Sequence, residues 1–138
     1  MRLDKQRIVV TGAFGTLGAA VVQAALGAGA QVAAIDRVSV PANLAAVHGF
    51  GGVDLADAGE ARRAIDAAAE ALGGVDALVN IAGAFRWETL ANGDLDTWDL
   101  LYRINLRTVV AASMAALPHL PDGRGRIVNI GANSARNA

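Results

Sequence analysis

Short apolar runs alternate with helical apolar periodicity along the whole chain. Arg7-Ile8-Val9-Val10 is a β-branched run that stops at Thr11-Gly12. Gln31 to Ile35, Asp76 to Asn80 and Arg126 to Ile130 are runs of the same kind, and Phe50 to Val53 is a weaker, glycine-diluted one. Each is continuous rather than alternating, the pattern of strands covered on both faces. Between them apolar residues recur at helical spacing. Leu17, Ala20, Val21, Ala24 and Ala25 form the first such stripe, which Gly27 and Gly29 stop. Asp57-Ala58-Gly59-Glu60 has capping-box spacing and opens a helix with Ala61, Ala64, Ile65, Ala68 and Leu72 on one face, closed by Gly73-Gly74. Arg37 to Pro41 reads as a loop, and Ala42 to Val47 is compatible with a short helix. A loop through Gly83 and Trp87 leads to Asp94, the expected N-cap of a long helix that ends before Pro118. This alternation predicts right-handed βαβ units: one α/β, Rossmann-like domain over residues 1–138, with about five parallel strands in a doubly wound sheet.

Composition narrows the partners. A hydrophobic share of 54% with 18% charged residues describes a globular domain with a large buried sheet. A net charge of −1 supplies no electrostatic reason to expect nucleic acid or an anionic membrane as partner. The sequence contains no cysteine, so disulfides and thiolate nucleophiles are excluded, and His48 and His119 are too scattered to suggest a metal site. The N-terminus is charged through Arg2, Asp4, Lys5 and Arg7 and lacks the apolar core of a signal peptide. The longest helical apolar stretch, Thr108 to Leu117, is short for a membrane span. A cytoplasmic location follows as the expectation.

In sheets of this kind ligands bind beyond the carboxyl ends of the strands. Polar or glycine residues stand at five such ends: Gly12 to Gly18, Asp36, Asp54, Asn80 to Gly83, and Gly131 to Ser134. In the first, Gly12, Gly15 and Gly18 recur every third residue between a strand and a helix N-terminus. Backbone N–H groups and the positive helix end converge there, which suits a pyrophosphate. Asp36 follows Gly18 by eighteen residues, close to the distance at which an acid meets the adenosine ribose hydroxyls. Its carboxylate would accept both hydroxyl protons and repel a 2′-phosphate, which favours NAD over NADP, while Arg37 could pair with a phosphate. Asp36 could equally cap a loop. Gly83 permits close approach of a ribose or is an ordinary turn glycine. Asn105, in an apolar helix, must satisfy its amide at the site, in solvent or on a neighbouring carbonyl. Phe85, Arg86 and Trp87 could line a pocket, or simply pack.

Together these residues resemble the N-terminal part of a short-chain dehydrogenase/reductase, from about Arg7 to the end. Thr11-Gly12 through Gly18 resembles that family's dinucleotide turn, with Phe14, Gly15, Thr16 and Leu17 between its glycines. Asp54-Leu55 resembles its adenine-contacting pair, and Asn80-Ile81-Ala82-Gly83 its Asn-Asn-Ala-Gly segment. Asn105 falls where the family places an asparagine that holds a water in a proton relay. The resemblance implies an NAD(P)-dependent oxidoreductase that moves a hydride between nicotinamide and a carbonyl/alcohol substrate. It also implies a homodimer or homotetramer built on the helix equivalent to Leu95–Leu117.

Three departures stand beside it. Thr16 occupies a position where compact members carry glycine, so the spacing is closer to the extended branch. Ala132 falls where the catalytic serine is expected, and Ser134 is the nearby hydroxyl; dihydropteridine-reductase-like relatives also lack that serine. The family's Tyr-x-x-x-Lys pair is absent: Tyr102 is followed four residues later by Leu106, the single lysine is Lys5, and Tyr102 is expected to pack. These points, with an apolar fifth strand at the sheet edge, suggest the N-terminal portion of a longer or split protein, inactive alone. A non-catalytic dinucleotide-binding module is the reading of a different class.

Overall fold

Successive residues of a strand face opposite sides of its sheet, and here both sides are filled. The computed structural model describes residues 2–42, 44 and 47–132. In β1 (Arg7–Thr11), Val9 enters a core beneath one helical layer while Ile8 and Val10 enter a second core on the other side. β2 (Gln31–Ile35) divides likewise, Ala33 and Ile35 against Val32 and Ala34. The strands β3 (His48–Phe50), β4 (Ala77–Asn80) and β5 (Arg126–Asn129) complete one parallel sheet of order β3-β2-β1-β4-β5. The order reverses direction between β1 and β4, which opens a crevice at their carboxyl ends.

α1 (Thr16–Gly27) covers the Ile8–Val10 face. Its buried stripe is Gly18, Val22 and Ala25; of the expected Leu17, Ala20, Val21, Ala24 and Ala25, Ala25 is buried and Val21 partly so, whereas Leu17, Ala20 and Ala24 are exposed. The phase is set at Gly18, where a Cβ would lie 2.0 Å from the Gly12 carbonyl oxygen, so only glycine faces the strand there. α2 (Ala58–Leu72) buries the expected Ala61, Ala64, Ile65, Ala68 and Leu72 on the opposite side. Its N-cap Asp57 accepts the Glu60 N–H, a bond that holds the Asp57 carboxyl below the usual carboxylate range.

One further expectation changes. The third strand lies at His48–Phe50 and not at Phe50–Val53. Its pairing with β2 ends at Ile35 opposite Phe50, and Gly52, at φ +73°, leaves extended geometry so that Val53 can donate to the Asp36 carbonyl. The short helix expected over 42–47 lies in part outside the described residues.

The long helix begins at Asp94, which accepts the Asp96 N–H as expected. It is one helical run of 25 residues, Leu95–His119, long and apolar enough by those measures alone to cross a membrane, which the apolar count over Thr108 to Leu117 did not indicate. It is not uniform. α3 (Leu95–Tyr102) passes through a π turn (Arg103–Arg107) into α4 (Thr108–Ala116) and a final 3₁₀ turn (Leu117–His119). Thr108 marks the widened turn: its N–H donates to the Arg103 carbonyl, five residues back, and its hydroxyl to that of Ile104. Ala112 and Ala116 bury against α2, whereas Trp98, Tyr102, Leu106, Val110 and Met114 are exposed. Tyr102 therefore does not pack in the core.

Candidate functional site

The carboxyl ends of the strands surround a cavity of about 580 Å³, within the ordinary range for a small-ligand site. Its walls include Gly12, Phe14, Gly15, Thr16, Leu17 and Gly18 after β1, Asp36 and Arg37 after β2, Asp54 and Leu55 after β3, and Ala82 and Gly83 after β4. These residues come from four separate turns, and each was singled out from the sequence.

The three glycines have different physical reasons. Gly12 sits at φ +64°, and a Cβ there would lie 2.6 Å from the Ala82 nitrogen. Gly18 is held by its contact with the Gly12 carbonyl. Gly15 is different. It adopts φ −73° and ψ 170°, open to any residue, and a Cβ on it would meet only the Gly12 oxygen at 3.6 Å. Packing does not require glycine at position 15. Gly15 is also the N-cap of α1, with no side-chain cap and no acidic residue in the first turn. The helix end therefore presents unscreened N–H groups to the cavity.

Asp36 is aimed by two backbone donors, Phe14 N–H at 2.9 Å on one oxygen and Val38 N–H at 3.2 Å on the other. Its carboxylate thus bridges the glycine turn and the loop after β2. Asp54 is held from several sides. Its Oδ1 accepts the Ala56 N–H at 3.0 Å, its Oδ2 accepts from Arg103 at 2.6 Å, and its own N–H donates to Glu60 at 2.8 Å.

Asn80 does not reach the cavity wall. It is buried, accepts from the Thr11 hydroxyl at 3.4 Å, and donates to Asn129 at 2.9 Å and to Ser113 at 3.3 Å. Asn80 thus ties β1, β4, β5 and α4 together beneath the site. Thr11, which the sequence marked only as the start of the glycine turn, does related work: its hydroxyl oxygen accepts the N–H groups of Ile81 and Ala82. Its signal was a lone buried hydroxyl at a strand end.

Asn105 uses its amide on a backbone loop. Its Oδ1 accepts the Ala84 N–H at 2.9 Å, and its Nδ2 donates to the Ala84 carbonyl at 3.0 Å. Glycine at 83 leaves this bond undisturbed, since a Cβ there would approach the Asn105 Oδ1 to 2.9 Å. Ile104, Thr108 and Ile130 also line the cavity and were not anticipated. Phe85 and Trp87 are exposed and line no part of it. Ser134 lies outside the described residues. A second cavity, of about 440 Å³, lies between α2 and the long helix, beside Tyr102 and Arg107. It touches no strand end.

The chain matches the profile of the short chain dehydrogenase family over residues 6–138. It is 35% identical to a D-threitol dehydrogenase of Mycolicibacterium smegmatis, across 97% of this chain and 55% of that protein. It is 33% identical to a meso-2,3-butanediol dehydrogenase of Serratia marcescens, across 94% of this chain and 54% of that one. Among solved structures, a short-chain dehydrogenase from Burkholderia cenocepacia in complex with NADP superposes with a TM-score of 0.84 at 34% identity, over the whole of this chain and 60% of that one. A short-chain dehydrogenase/reductase from Serratia marcescens gives 0.87 at 33%, over the whole of this chain and 62% of its own. The chain spans about half the length of the curated relatives it matches.

Proposed function

The chain belongs to the short-chain dehydrogenase family, and from that premise we propose that it forms the cofactor half of a nicotinamide-dependent oxidoreductase acting on a small carbonyl/alcohol substrate. The observation that carries the reading is Gly15. The fold has no packing use for a missing side chain there, yet the residue stands at an uncapped helix N-terminus on the cavity wall. A pyrophosphate approaching the backbone supplies that use.

The roles of the other residues follow from their positions. Thr16, Leu17 and Gly18 offer first-turn N–H groups to the pyrophosphate, and the Thr16 hydroxyl adds a donor. Asp36, aimed by Phe14 and Val38, accepts the hydroxyls of the adenosine ribose. Its negative charge opposes a 2′-phosphate, so NAD is the preferred cofactor, with Arg37 tempering the preference. Asp54 and Leu55 meet the base; Ala82 and Gly83 pass close to the second ribose. When bound, the nicotinamide donates or accepts the hydride. Asn105 holds the Ala84 loop at that end and takes part in proton transfer, and Ser134 stands in for the family serine. Asn80 acts through the loop it anchors. These 138 residues contain no Tyr-x-x-x-Lys and do not by themselves turn over a carbonyl. A cytoplasmic setting and a dimer or tetramer built on the exposed face of Leu95–Leu117 belong to the same proposal.

A second reading, a dinucleotide-binding module without catalysis, is favoured by Ala132 at the expected serine position. Titration of NADH fluorescence tests the binding claim. Saturable binding that Asp36→Ala weakens about tenfold, or ~1.4 kcal/mol, is expected, and no binding overturns both readings. Carbonyl reduction by the natural gene product separates them. Turnover excludes the module, and tight NADH binding without turnover of any carbonyl supports it.

A further inference from the structure

We propose that Arg103 is a positioning residue that sets the enzyme's preference for adenine over a 6-oxopurine, acting through Asp54. The inference rests on the dinucleotide reading above.

The cavity has a direction. With pyrophosphate on the β1 turn and ribose on Asp36 at the end of β2, the base extends toward the next strand end, that of β3. The wall there is Val53, Asp54 and Leu55. Val53 and Leu55 give it an apolar surface for a ring. Asp54 gives it one polar group, a partly exposed carboxylate that accepts hydrogen bonds and, ionised, donates none. Adenine carries a 6-amino donor, whereas guanine and hypoxanthine carry a 6-oxo acceptor. A carboxylate held opposite the 6-position accepts from the first and repels the oxygen of the second, whose nearest donor, the ring N1–H, lies one position away.

Arg103 supplies the holding. It reaches from the π turn to Oδ2 of Asp54 at 2.6 Å, while the Ala56 N–H takes Oδ1 at 3.0 Å. Each oxygen keeps a free lone pair. Four residues on, the Arg107 Nε donates to the Ala56 carbonyl at 2.7 Å, so two arginines of one turn grip one loop. Glu60 fixes the loop's backbone from α2. The Arg103 guanidinium also offsets the Asp54 charge, which would otherwise stand unbalanced in the cavity that receives a pyrophosphate. Between the arginines, Asn105 bonds both backbone groups of Ala84 at the other end of the cavity. The π turn therefore touches the base end and the nicotinamide end at once.

The test uses the natural gene product and two probes, NADH and its reduced hypoxanthine analogue, titrated by fluorescence. Wild type is expected to bind NADH more tightly than the analogue. Arg103→Met weakens NADH about two- to fivefold, the scale of a partly exposed ion pair, and leaves the analogue within twofold, so the preference shrinks. Arg103→Lys restores most of it. Asp54→Asn, whose amide can turn a donor toward a 6-oxo group, erases the preference as well, and Arg103→Met adds no further change in that background. A preference unchanged in Arg103→Met, whether both affinities stay or both fall together, overturns the positioning role. So does a wild type indifferent to the base. Failure of wild type to bind either probe overturns the dinucleotide reading instead.

Discussion

Gly15 and Gly18 are three positions apart and chemically identical, yet substitution should separate them. Gly18→Ala places a Cβ 2.0 Å from a backbone oxygen, which cannot move aside as a side chain would. A loss of about 2 kcal/mol or more and a drop of several degrees in Tm are expected. Gly15→Ala meets no such obstacle. Its Tm should change far less, because the narrower unfolded ensemble of alanine offsets much of the modest cost of placing alanine at a helix N-cap, while NADH affinity falls at least about tenfold. Thermal melts and NADH titrations of the pair check this; a Gly15→Ala variant that binds normally would remove the carrying observation. At the other end of β1, Arg7 and Asp76 form a bidentate pair at 2.8 and 2.9 Å, and Arg7 also donates to the Gly73 carbonyl. The bond from Arg7 holds the Asp76 carboxyl down at about 2, below its ordinary 3.8. A depressed carboxyl contributes stability above the unfolded value and loses it as pH falls through the folded one. Asp76→Asn should therefore cost about 1 kcal/mol at neutral pH, discounted for solvent screening. The deficit should vanish between roughly pH 4 and 2, as read from urea melts across that range.

The long helix shows what an element adds to its residues. Asp94 as cap and Pro118 as terminator were legible, because a capping side chain and a missing N–H act within a few residues. The π turn at Arg103–Arg107 was not, since periodicity cannot distinguish one widened turn from a regular helix. It matters because Arg103, Asn105 and Arg107 each meet a different partner from that turn. Asn105→Ala should release both backbone groups of Ala84 without disturbing a buried contact. We expect amide exchange at Ala84 to accelerate at least about tenfold, the equivalent of ~1.4 kcal/mol, with Tm nearly unchanged. Asn105→Asp, which accepts but does not donate, should fall between. Protection unaffected by Asn105→Ala would mean the loop is held by something else.

At the scale of the molecule, the covered and uncovered parts of the sheet differ. β1 and β2 are sealed on both faces, whereas all of β5 is exposed and Val128 stands 46% accessible. A parallel strand with one neighbour and an apolar surface invites pairing with another chain. The polypeptide of these 138 residues should therefore self-associate, and Val128→Lys should shift it toward monomer in sedimentation velocity. Identical behaviour of the two would contradict that account. The exposed Trp98, Leu106, Val110 and Met114 of the long helix are a second uncovered surface, which the lysine leaves in place.

The amino-acid sequence by itself determined the element order and the strand ends where a ligand meets the fold. Both are local: apolar runs, caps and glycine stops act within a turn or two, and a parallel sheet gathers strand ends automatically. Tertiary structure decided what depends on distant partners. The phase of α1 came from Gly18 against Gly12, and the end of β3 came from the loop that folds onto Asp36. Asn80 sits in a buried network beneath the cavity and not on its wall, because Thr11, Ser113 and Asn129 reach it from three other elements. Arg103 carried no sequence signal at all. Its meaning lies in a contact with Asp54, 49 residues away, and long-range pairing of that kind leaves no periodicity to read.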